Sequence, residues 1–296
     1  MNQTARWPER KQHSIREFLQ QILSSAFQQQ FSDLYFLPKV GKYQLSGQQL
    51  GRLQQIMEVS IDDAKSMLSL MKYWAQLDLA EMRRPQLGRF DFEDGFVRLS
   101  SVGDFLGRES LVLRLISKQV GPLAYRNEQQ WKELLADRPS SGLYLLIGPT
   151  GSGKTTTLHE LLRKWSDQLV VLTVEDPVEI EQPAFLQLQV NNTAGVHYQD
   201  LIKVALRHRP DILVIGEIRD LETAQAALQA ALSGHLVLAT IHANSAELVL
   251  ERLVDLGLDR ELVLEALVKS VYMRLCTKKS GGLEANLTVV DWRNSE

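Results

Sequence analysis

Apolar residues in the first third of the chain recur at spacings that change several times. Between His13 and Phe31 they follow three- and four-residue intervals, which predict an amphipathic helix. The same spacing favours helices over Gly47–Met57 and Asp62–Leu79. Short runs with strand character occupy much of the rest: Asp33–Leu37, Tyr43–Leu45, Arg89–Phe92, Phe96–Leu99 and Leu111–Leu115. A small α+β domain is therefore predicted for residues 1–117.

The pattern changes beyond residue 141. Continuous apolar runs rich in Leu, Val and Ile then alternate with helical stretches: 143–147, 169–174, 212–216 and 236–240. Such runs are typical of buried parallel strands, because helices cover both faces of a parallel sheet. The sequence therefore predicts an α/β domain over residues 141–277.

Residues 118–140 lie between the two predicted domains. They contain Gly121–Pro122 and Arg138–Pro139, which favour a linker, and a helix is predicted near Asn127–Leu135. After the last apolar run, the pattern predicts two helices and a short tail that carries one strand: Ser245–Leu256, Arg260–Leu275, and Leu287–Val290 within residues 278–296.

A glycine-rich loop follows the first of these apolar runs. Its residues fit the pattern G-x-x-x-x-G-K-[ST]: Gly148, Pro149, Thr150, Gly151, Ser152, Gly153, Lys154 and Thr155. Glycines let the backbone curl until its N–H groups point inward at an anion, and the following helix adds its positive N-terminal end. The motif assigns Lys154 to the β and γ phosphates of a nucleotide and the Thr155 hydroxyl to Mg²⁺. The neighbouring Thr156 is a further binding candidate.

Two more of the predicted strands end in carboxylates. Glu217 follows the run 212–216, and Glu175 and Asp176 follow the run 169–174. Open α/β sheets bind ligands at the carboxyl ends of their strands, so these groups are expected to converge with the glycine-rich loop. A divalent cation would relieve their mutual repulsion.

Other polar residues near these strands have two interpretations. His235 and His242 bracket the run 236–240, and each is either a site residue or a structural histidine hydrogen-bonded at a strand end. Asp220 is placed to cap a helix that starts at Leu221. Glu179 and Glu181 are more typical of a solvated loop than of a reactive site.

Composition limits the classes of function. The chain has 296 residues, of which 44% are hydrophobic and 23% charged, as in globular proteins large enough for two cores. A net charge of −3 and a pI of 6.1 give no general attraction to nucleic acid or anionic lipid, although they allow a local basic patch. Cys276 is the single cysteine, which excludes an internal disulfide and a cysteine-rich zinc site. No eighteen apolar residues run together, so neither a membrane span nor a signal peptide is predicted.

The motifs together resemble, in order and spacing, the four boxes of the secretion and type IV pilus ATPases: Gly148–Thr157 (GPTGSGKTTT), Thr173–Val178 (TVEDPV), Gly216–Asp220 (GEIRD) and Gly234–Asn244 (GHLVLATIHAN). Segments of the first domain resemble the N-terminal module of that family: Ser32–Pro38, Gly88–Phe90, Val97–Ser100 and Glu109–Leu115. The similarity extends over about residues 15 to 277.

The resemblance implies a small N-terminal α+β (PAS-like) domain followed by a RecA-like P-loop NTPase domain. It implies a homohexamer that hydrolyses ATP with Mg²⁺, in the cytoplasm at the inner face of the cell membrane, docked on a polytopic membrane platform protein. It also implies roles for His235 and His242, and for Glu175. Arginines of the first domain would meet the charge that develops on the γ-phosphoryl group. The candidates are Arg89, Arg98 and Arg114, with solvated strand arginines as the alternative for each.

The chain departs from the family pattern at Arg274–Thr277. Many pilus-assembly and type II secretion members carry a four-cysteine zinc module after the His box, whereas here the chain passes directly to a short tail, so no zinc is expected. A retraction-type C-terminal signature is also missing. The sequence most resembles the competence-pilus assembly ATPases of Gram-positive bacteria, which implies assembly of a pilus for DNA uptake without direct binding of nucleic acid.

We interpret Thr155 and Glu217 as the residues that hold Mg²⁺, directly or through water, and Glu175 as the residue that orients or deprotonates the attacking water. The two glutamates could exchange these roles. One alternative function is a conjugation or DNA-translocating ATPase, disfavoured by the acidic pI and by the lack of a basic, aromatic-studded patch. Another is a nucleotide-gated scaffold with little turnover, against which the complete set of acidic boxes argues.

Overall fold

The computed structural model describes residues 7–8, 10, 14–49, 51–93, 95–117, 123–191, 194–278 and 282–294. The chain divides into two compact units, Met1–Gln119 and Val120–Glu296. Each unit is built on one β-sheet. The start of the predicted linker, 118–122, and His13, where the first helix was predicted to begin, lie outside the described residues.

The first unit combines two helices with a six-stranded sheet. Its elements are α1 (Ile15–Gln28), β1 (Asp33–Lys39), β2 (Lys42–Gln49), β3 (Arg52–Val59), α2 (Ile61–Trp74), β4 (Gln86–Phe92), β5 (Gly95–Gly103) and β6 (Glu109–Ser117). The strand order is β3-β2-β1-β6-β5-β4, and all neighbours are antiparallel. The α+β pattern predicted for this part of the chain is therefore present.

The helices of the first unit are amphipathic and pack on one face of its sheet. The core contains residues from both helices and from alternate positions of the strands: Phe18, Ile22, Met67, Met71, Leu34, Phe36, Val97, Leu99 and Leu113. Ser14 starts α1 with a capping box, because its hydroxyl accepts from the Glu17 N–H while its own N–H donates to the Glu17 carboxylate. Local sequence therefore fixes where the helix begins, and apolar burial fixes which face it presents.

The helix predicted over Gly47–Met57 is wrong. These residues form the end of β2 and most of β3, with Gly51 (φ +76°) in the turn between the two strands. Leu53 and Ile56 lie three residues apart, which is a helical spacing, and a bulge in β3 at Ile56 accommodates it in the strand. Strand pairing prevails because β3 is hydrogen-bonded to β2 along its length.

The second unit contains a seven-stranded sheet of order β13-β12-β7-β11-β10-β8-β9. Its elements are α3 (Glu128–Ala136), β7 (Gly142–Ile147), α4 (Lys154–Trp165), β8 (Val171–Glu175), β9 (Leu186–Gln189), α5 (Tyr198–Arg207), β10 (Ile212–Ile218), α6 (Leu221–Leu232), β11 (Leu236–Ile241), α7 (Val249–Asp255), α8 (Arg260–Ala266), β12 (Leu267–Thr277), β13 (Leu283–Asp291) and a short 3₁₀ helix (Trp292–Asn294). All neighbouring strands are parallel except β12 and β13.

Alternate residues of the central strands enter two different cores. Leu143, Leu145 and Ile147 of β7 pack in one core, whereas Tyr144 and Leu146 pack in the other. β7, β8 and β11 are buried along their whole length. A parallel sheet with both faces covered explains why the sequence shows continuous apolar runs instead of alternation. The α/β class predicted for this unit is confirmed.

The helix predicted over Arg260–Leu275 is only partly correct. α8 ends at Ala266, and the following residues form β12, which is parallel to β7 and antiparallel to β13. Val271 and Met273 lie two residues apart and are fully buried in the same core, which is strand periodicity. The strand predicted at Leu287–Val290 lies within β13, and the short, half-exposed β9 was not predicted.

The start of the described second unit is attached to α4. Glu160 accepts hydrogen bonds from the Leu123 N–H (2.8 Å) and from the Tyr125 hydroxyl (2.7 Å). The Tyr125 hydroxyl also lies 3.1 Å from the hydroxyl oxygen of Thr157. Two turns of the same helix therefore hold the segment that precedes α3.

Candidate active site

The glycine-rich loop connects the buried strand β7 to α4, as its motif requires. Gly148, Gly151 and Gly153 have φ angles of +150°, +74° and +92°, a region that other residues rarely adopt. A Cβ atom on Gly148 would lie 2.4 Å from the carbonyl oxygen of Met273 in β12. The loop can therefore follow this path only with glycine at that position.

Several polar groups of the loop are arranged as an anion would need them. No side chain caps α4, whose N-cap residue is Gly153, so the N–H groups of its first turn are available to a ligand. The Ser152 hydroxyl is buried, and among the described residues it has no hydrogen-bond partner. The residues present therefore fit a polyphosphate.

Lys154 folds back over the loop. Its Nζ donates to the carbonyl oxygens of Gly148 (2.9 Å) and Pro149 (3.0 Å). Burial lowers the pKa of Lys154, while the nearby carboxylates of Glu217 and Glu179 act in the opposite direction. A cation whose charge is partly desolvated gains from a phosphate counter-charge.

Glu217 lies near the carboxyl end of β10, between two basic groups. Its Oε2 accepts from Arg219 Nε at 2.7 Å, and its Oε1 lies 3.0 Å from His242 Nε2. His242 comes directly after β11, the strand between β7 and β10. Neighbouring strand ends therefore bring Glu217 and His242 together at the edge of the sheet that carries the loop.

Glu175 is the last residue of β8 and is buried. Its Oε1 accepts from the Thr173 hydroxyl (2.7 Å) and from Gln187 Nε2 (3.1 Å). Burial raises the pKa of the Glu175 carboxyl, although both hydrogen bonds act in the lowering direction. A carboxylate with a raised pKa is a better proton acceptor near neutral pH than an ordinary surface glutamate.

The two aspartates near Glu217 have different surroundings. Asp220 caps α6, since its Oδ1 accepts from the Thr223 N–H at 2.8 Å, which is the structural interpretation of this residue. Asp176 follows β8, and together with Glu217 and Asp220 it lines a cleft of about 390 Å³.

The structure does not bring His235 to this site. His235 precedes β11, and its Nδ1 lies 3.2 Å from the carbonyl oxygen of Ala230. The six residues of β11 separate it from His242, a distance of about 20 Å along an extended strand. The two histidines therefore lie at opposite edges of the sheet, because a strand directs its two ends to different sides.

The candidate arginines of the first unit lie in a row. Arg98 on β5 is the register partner of both Arg89 on β4 and Arg114 on β6, on the face opposite the buried core. The Arg89 guanidinium lies 3.8 Å from the centre of the Phe96 ring, and Arg114 Nε donates to Asp33 Oδ1 at 3.0 Å. One face of this sheet thus presents three adjacent cations.

A magnesium ion would need only a few protein ligands here. In the parts of the chain that the structure describes, no group of three or more His, Cys, Asp or Glu side chains is placed to hold a metal ion. Mg²⁺ in nucleotide sites is usually held by one or two protein oxygens together with phosphate and water. Thr155 and Glu217 are compatible with that kind of coordination.

Three residues that contact the carboxylates have no predicted role. Thr173 lies two positions before Glu175 in β8, and Arg219 lies two positions after Glu217, directly after β10, so closeness in sequence was an available signal for both. Gln187 comes from β9 and reaches Glu175 only through strand pairing, for which the sequence carries no signal.

Comparison with known proteins identifies the family. The model of the family described as "Type II/IV secretion system protein" matches residues 8–290. Competence protein ComGA of Streptococcus pneumoniae is 42% identical over 265 residues, which cover 88% of this chain and 84% of that protein. The type IV pilus assembly ATPase TfpB of Acinetobacter baylyi is 36% identical over 281 residues, which cover 90% of this chain but 48% of the longer relative.

Solved structures share the fold. The ATPase DotB of Legionella pneumophila superposes with a TM-score of 0.76 at 22% identity, covering 97% of this chain and 84% of DotB. The pilus retraction motor PilT with bound ADP superposes with a TM-score of 0.70 at 24% identity, covering 92% of this chain and 83% of PilT. These likenesses confirm the predicted fold class, a β-rich N-terminal unit followed by a RecA-like unit. The chain belongs to the type II/IV secretion system protein family and is an ATPase of the secretion and pilus-motor type.

Proposed function

We propose that this ATPase is a Mg²⁺-dependent motor that works as a homohexamer and powers assembly of a competence-type pilus for DNA uptake. The observation that carries the proposal is the loop 148–155, with its three left-handed glycines, uncapped helix and folded-back lysine. The biological setting is supported by the ComGA relative, which matches most of both chains. The motor would act at the inner face of the cell membrane on a polytopic platform protein, without handling DNA itself.

Nucleotide binding would use groups that are already placed. The loop amides and Lys154 would hold the β and γ phosphates. To reach them, Lys154 would give up its hydrogen bonds to the Gly148 and Pro149 carbonyl oxygens. Thr155 and Glu217 hold the metal directly or through water. When bound, Mg²⁺ would stabilise the negative charge on the oxygens of the γ-phosphoryl group.

The environments of the two glutamates support different roles. Glu175 is buried, its pKa is raised, and Thr173 and Gln187 fix its orientation, which suits a group that accepts the proton of the attacking water. Glu217 is held between Arg219 and His242, which suits a fixed metal-site carboxylate. The arginine row of the first unit, Arg89, Arg98 and Arg114, would supply the positive charge that stabilises the transition state.

The test uses the variant Lys154→Ala and a matched control in the same helix, Lys164→Ala, which removes an exposed lysine from the last turn of α4. Phosphate release by the purified protein should be lost in the first variant and retained in the second. Light scattering should give a hexamer for both, and elemental analysis should find no stoichiometric zinc.

The same pair of variants tests the biological role. A strain with Lys154→Ala should lose surface pili and DNA uptake together, whereas Lys164→Ala should keep both. Pili that still assemble in the Lys154→Ala strain, with only DNA movement lost, would show that the motor translocates DNA instead.

A further inference from the structure

Two turns at one end of the first unit's sheet expose apolar side chains. Val40 lies in the turn between β1 and β2, and Phe105 and Leu106 lie in the turn between β5 and β6. Val40 and Phe105 are each 93% exposed, and Leu106 is 61% exposed. Water contact with this much apolar surface is unfavourable, so such residues commonly mark a contact site. We call Val40, Phe105 and Leu106 the hairpin-tip patch.

The two turns are neighbours. β1 and β6 are antiparallel, so the turn that follows β1 and the turn that precedes β6 lie at the same end of the sheet. Arg108 Nη1 donates to the Lys39 carbonyl oxygen at 3.4 Å, which joins the turns directly. The Tyr43 hydroxyl donates to the Glu109 carbonyl oxygen at 2.9 Å, just behind them. The three apolar side chains therefore belong to one surface.

The second turn is held in a fixed shape by Asp104. Its Oδ1 accepts from the N–H groups of Leu106 (2.9 Å) and Arg108 (2.8 Å), and its Oδ2 accepts from Arg108 Nε (2.8 Å). Because the backbone polar groups are satisfied inside the turn, Phe105 and Leu106 are held outward without contact with the core. The surface is thus built before any partner arrives.

Cations flank the hairpin-tip patch although the whole chain is acidic. Lys39 adjoins Val40, and Arg83 lies beside the second turn, where its carbonyl oxygen accepts from the Gly103 N–H. Both side chains are exposed, and within the described part of the chain no carboxylate forms an ion pair with either. The carboxylate of Asp104 is itself offset by Arg108. The surface is therefore apolar at its tip and positive at its rim.

We infer that the hairpin-tip patch contacts an anionic lipid bilayer. Three side chains on two convex turns present roughly a few hundred Å², less than the 800 Å² or so that each partner of a stable protein–protein interface buries. A bilayer needs no matching groove, because apolar side chains enter its interfacial region singly while cations attract acidic headgroups. This contact goes beyond the proposed motor activity and does not depend on it.

The inference is tested by flotation of the full chain with vesicles, without nucleotide. Vesicles of phosphatidylcholine with phosphatidylglycerol should carry the wild-type protein, and vesicles of phosphatidylcholine alone should carry far less. The variant Val40→Ser/Phe105→Ser/Leu106→Ser should partition at least about 10-fold more weakly, since it removes the apolar surface that enters the bilayer. Its thermal midpoint and its ATPase rate in solution should be unchanged. The matched control, Leu53→Ser, removes a leucine that is 65% exposed on β3 and should bind as the wild type does.

A second variant tests the positive rim. Lys39→Gln/Arg83→Gln should weaken binding to the anionic vesicles by about 10-fold and reduce its dependence on salt, because two cations no longer face the headgroups. Wild-type protein that stays unbound, or a triple-serine variant that floats as well as wild type, would overturn the inference. So would a triple-serine variant whose oligomer dissociates in light scattering while it still binds vesicles, since the patch would then join copies of this chain.

Discussion

Gly148 and Gly151 lie in the same loop, but alanine at the two positions should have different effects on nucleotide binding. At Gly148, with φ of +150°, an added Cβ would lie 2.4 Å from the Met273 carbonyl oxygen and 2.7 Å from the Ser152 Oγ. At Gly151, with φ of +74°, no heavy atom lies within 4 Å of an added Cβ. Gly151→Ala therefore measures backbone strain alone, and Gly148→Ala measures strain together with a collision.

The difference can be estimated from these contacts. At Gly151, with φ of +74°, a non-glycine residue costs about 1–2 kcal/mol, and at Gly148, with φ of +150°, the backbone strain is at least as large. The collision at Gly148 is with the backbone of a buried strand, and forcing an extra group into a packed region adds about 1–3 kcal/mol. If this added cost of about 2 kcal/mol destabilises only the loop conformation that binds phosphate, the affinity for nucleotide is about 30-fold lower in Gly148→Ala than in Gly151→Ala.

The assay is titration of each variant with a fluorescent ATP analogue and Mg²⁺, together with a thermal midpoint. The midpoint is needed because part of the cost can lower the free energy of unfolding instead of the binding affinity. Equal affinities and equal midpoints for the two alanine variants would refute the inferred contact between the loop and β12.

Further expectations concern the carboxylates, a buried histidine and the arginine row. Glu175→Gln should bind MgATP normally while turnover falls about 10²–10⁴-fold. If Glu175→Gln instead loses affinity for MgATP and Glu217→Gln binds it normally, Glu175 is the metal-site carboxylate and Glu217 the proton acceptor. Burial lowers the pKa of His159 in α4 to about 4, so below pH 6.5 the unfolded chain takes up a proton that the folded chain does not, and stability falls as the pH drops. Chemical denaturation should therefore show that the free energy of unfolding falls between pH 7 and pH 4.5 by about 2 kcal/mol more in wild type than in His159→Leu. An equal fall in the two proteins would contradict the burial of a neutral imidazole. Arg98→Ala should lower turnover about 10³-fold or more at unchanged MgATP affinity. The control is Arg52→Ala, on the exposed edge strand β3. Normal turnover in Arg98→Ala would show that this arginine is not part of the site.

The sequence was sufficient wherever one strong local pattern decided the structure. The strand–loop–helix around Lys154 combines a buried run, left-handed glycines and a helix start within about twenty residues, so its geometry followed from local chemistry. Glu217 and His242 were placed together by a general rule on parallel strands. The same rule places His235, which precedes the run 236–240, at the opposite ends of the strands, and only the family resemblance implied a role for it in the site.

The errors arose where spacing alone was ambiguous. Residues 267–277 have apolar positions that fit a helix or a strand, and pairing with β7 and β13 decides in favour of the strand. Residues 52–59 were likewise assigned by spacing, but the turn at Gly51 and the neighbouring strand determine their structure. Contacts between distant segments, such as Gln187 with Glu175, have no counterpart in a local pattern.

The attachment of Leu123 and Tyr125 to Glu160 has a mechanical consequence. Glu160 lies six residues beyond Lys154, about 9 Å along the axis of α4, and a hydrogen-bonded helix is a stiff strut over that distance. The same segment also pairs with β13, since the Ala285 N–H donates to the Ala124 carbonyl oxygen and the Arg126 N–H donates to the Ala285 carbonyl oxygen. Tension applied at Leu123 would therefore be shared between α4, which begins at the phosphate-binding loop, and the sheet. In the reverse direction, a tilt of α4 on phosphate binding or release would strain the hydrogen bonds of Glu160 with Leu123 and Tyr125.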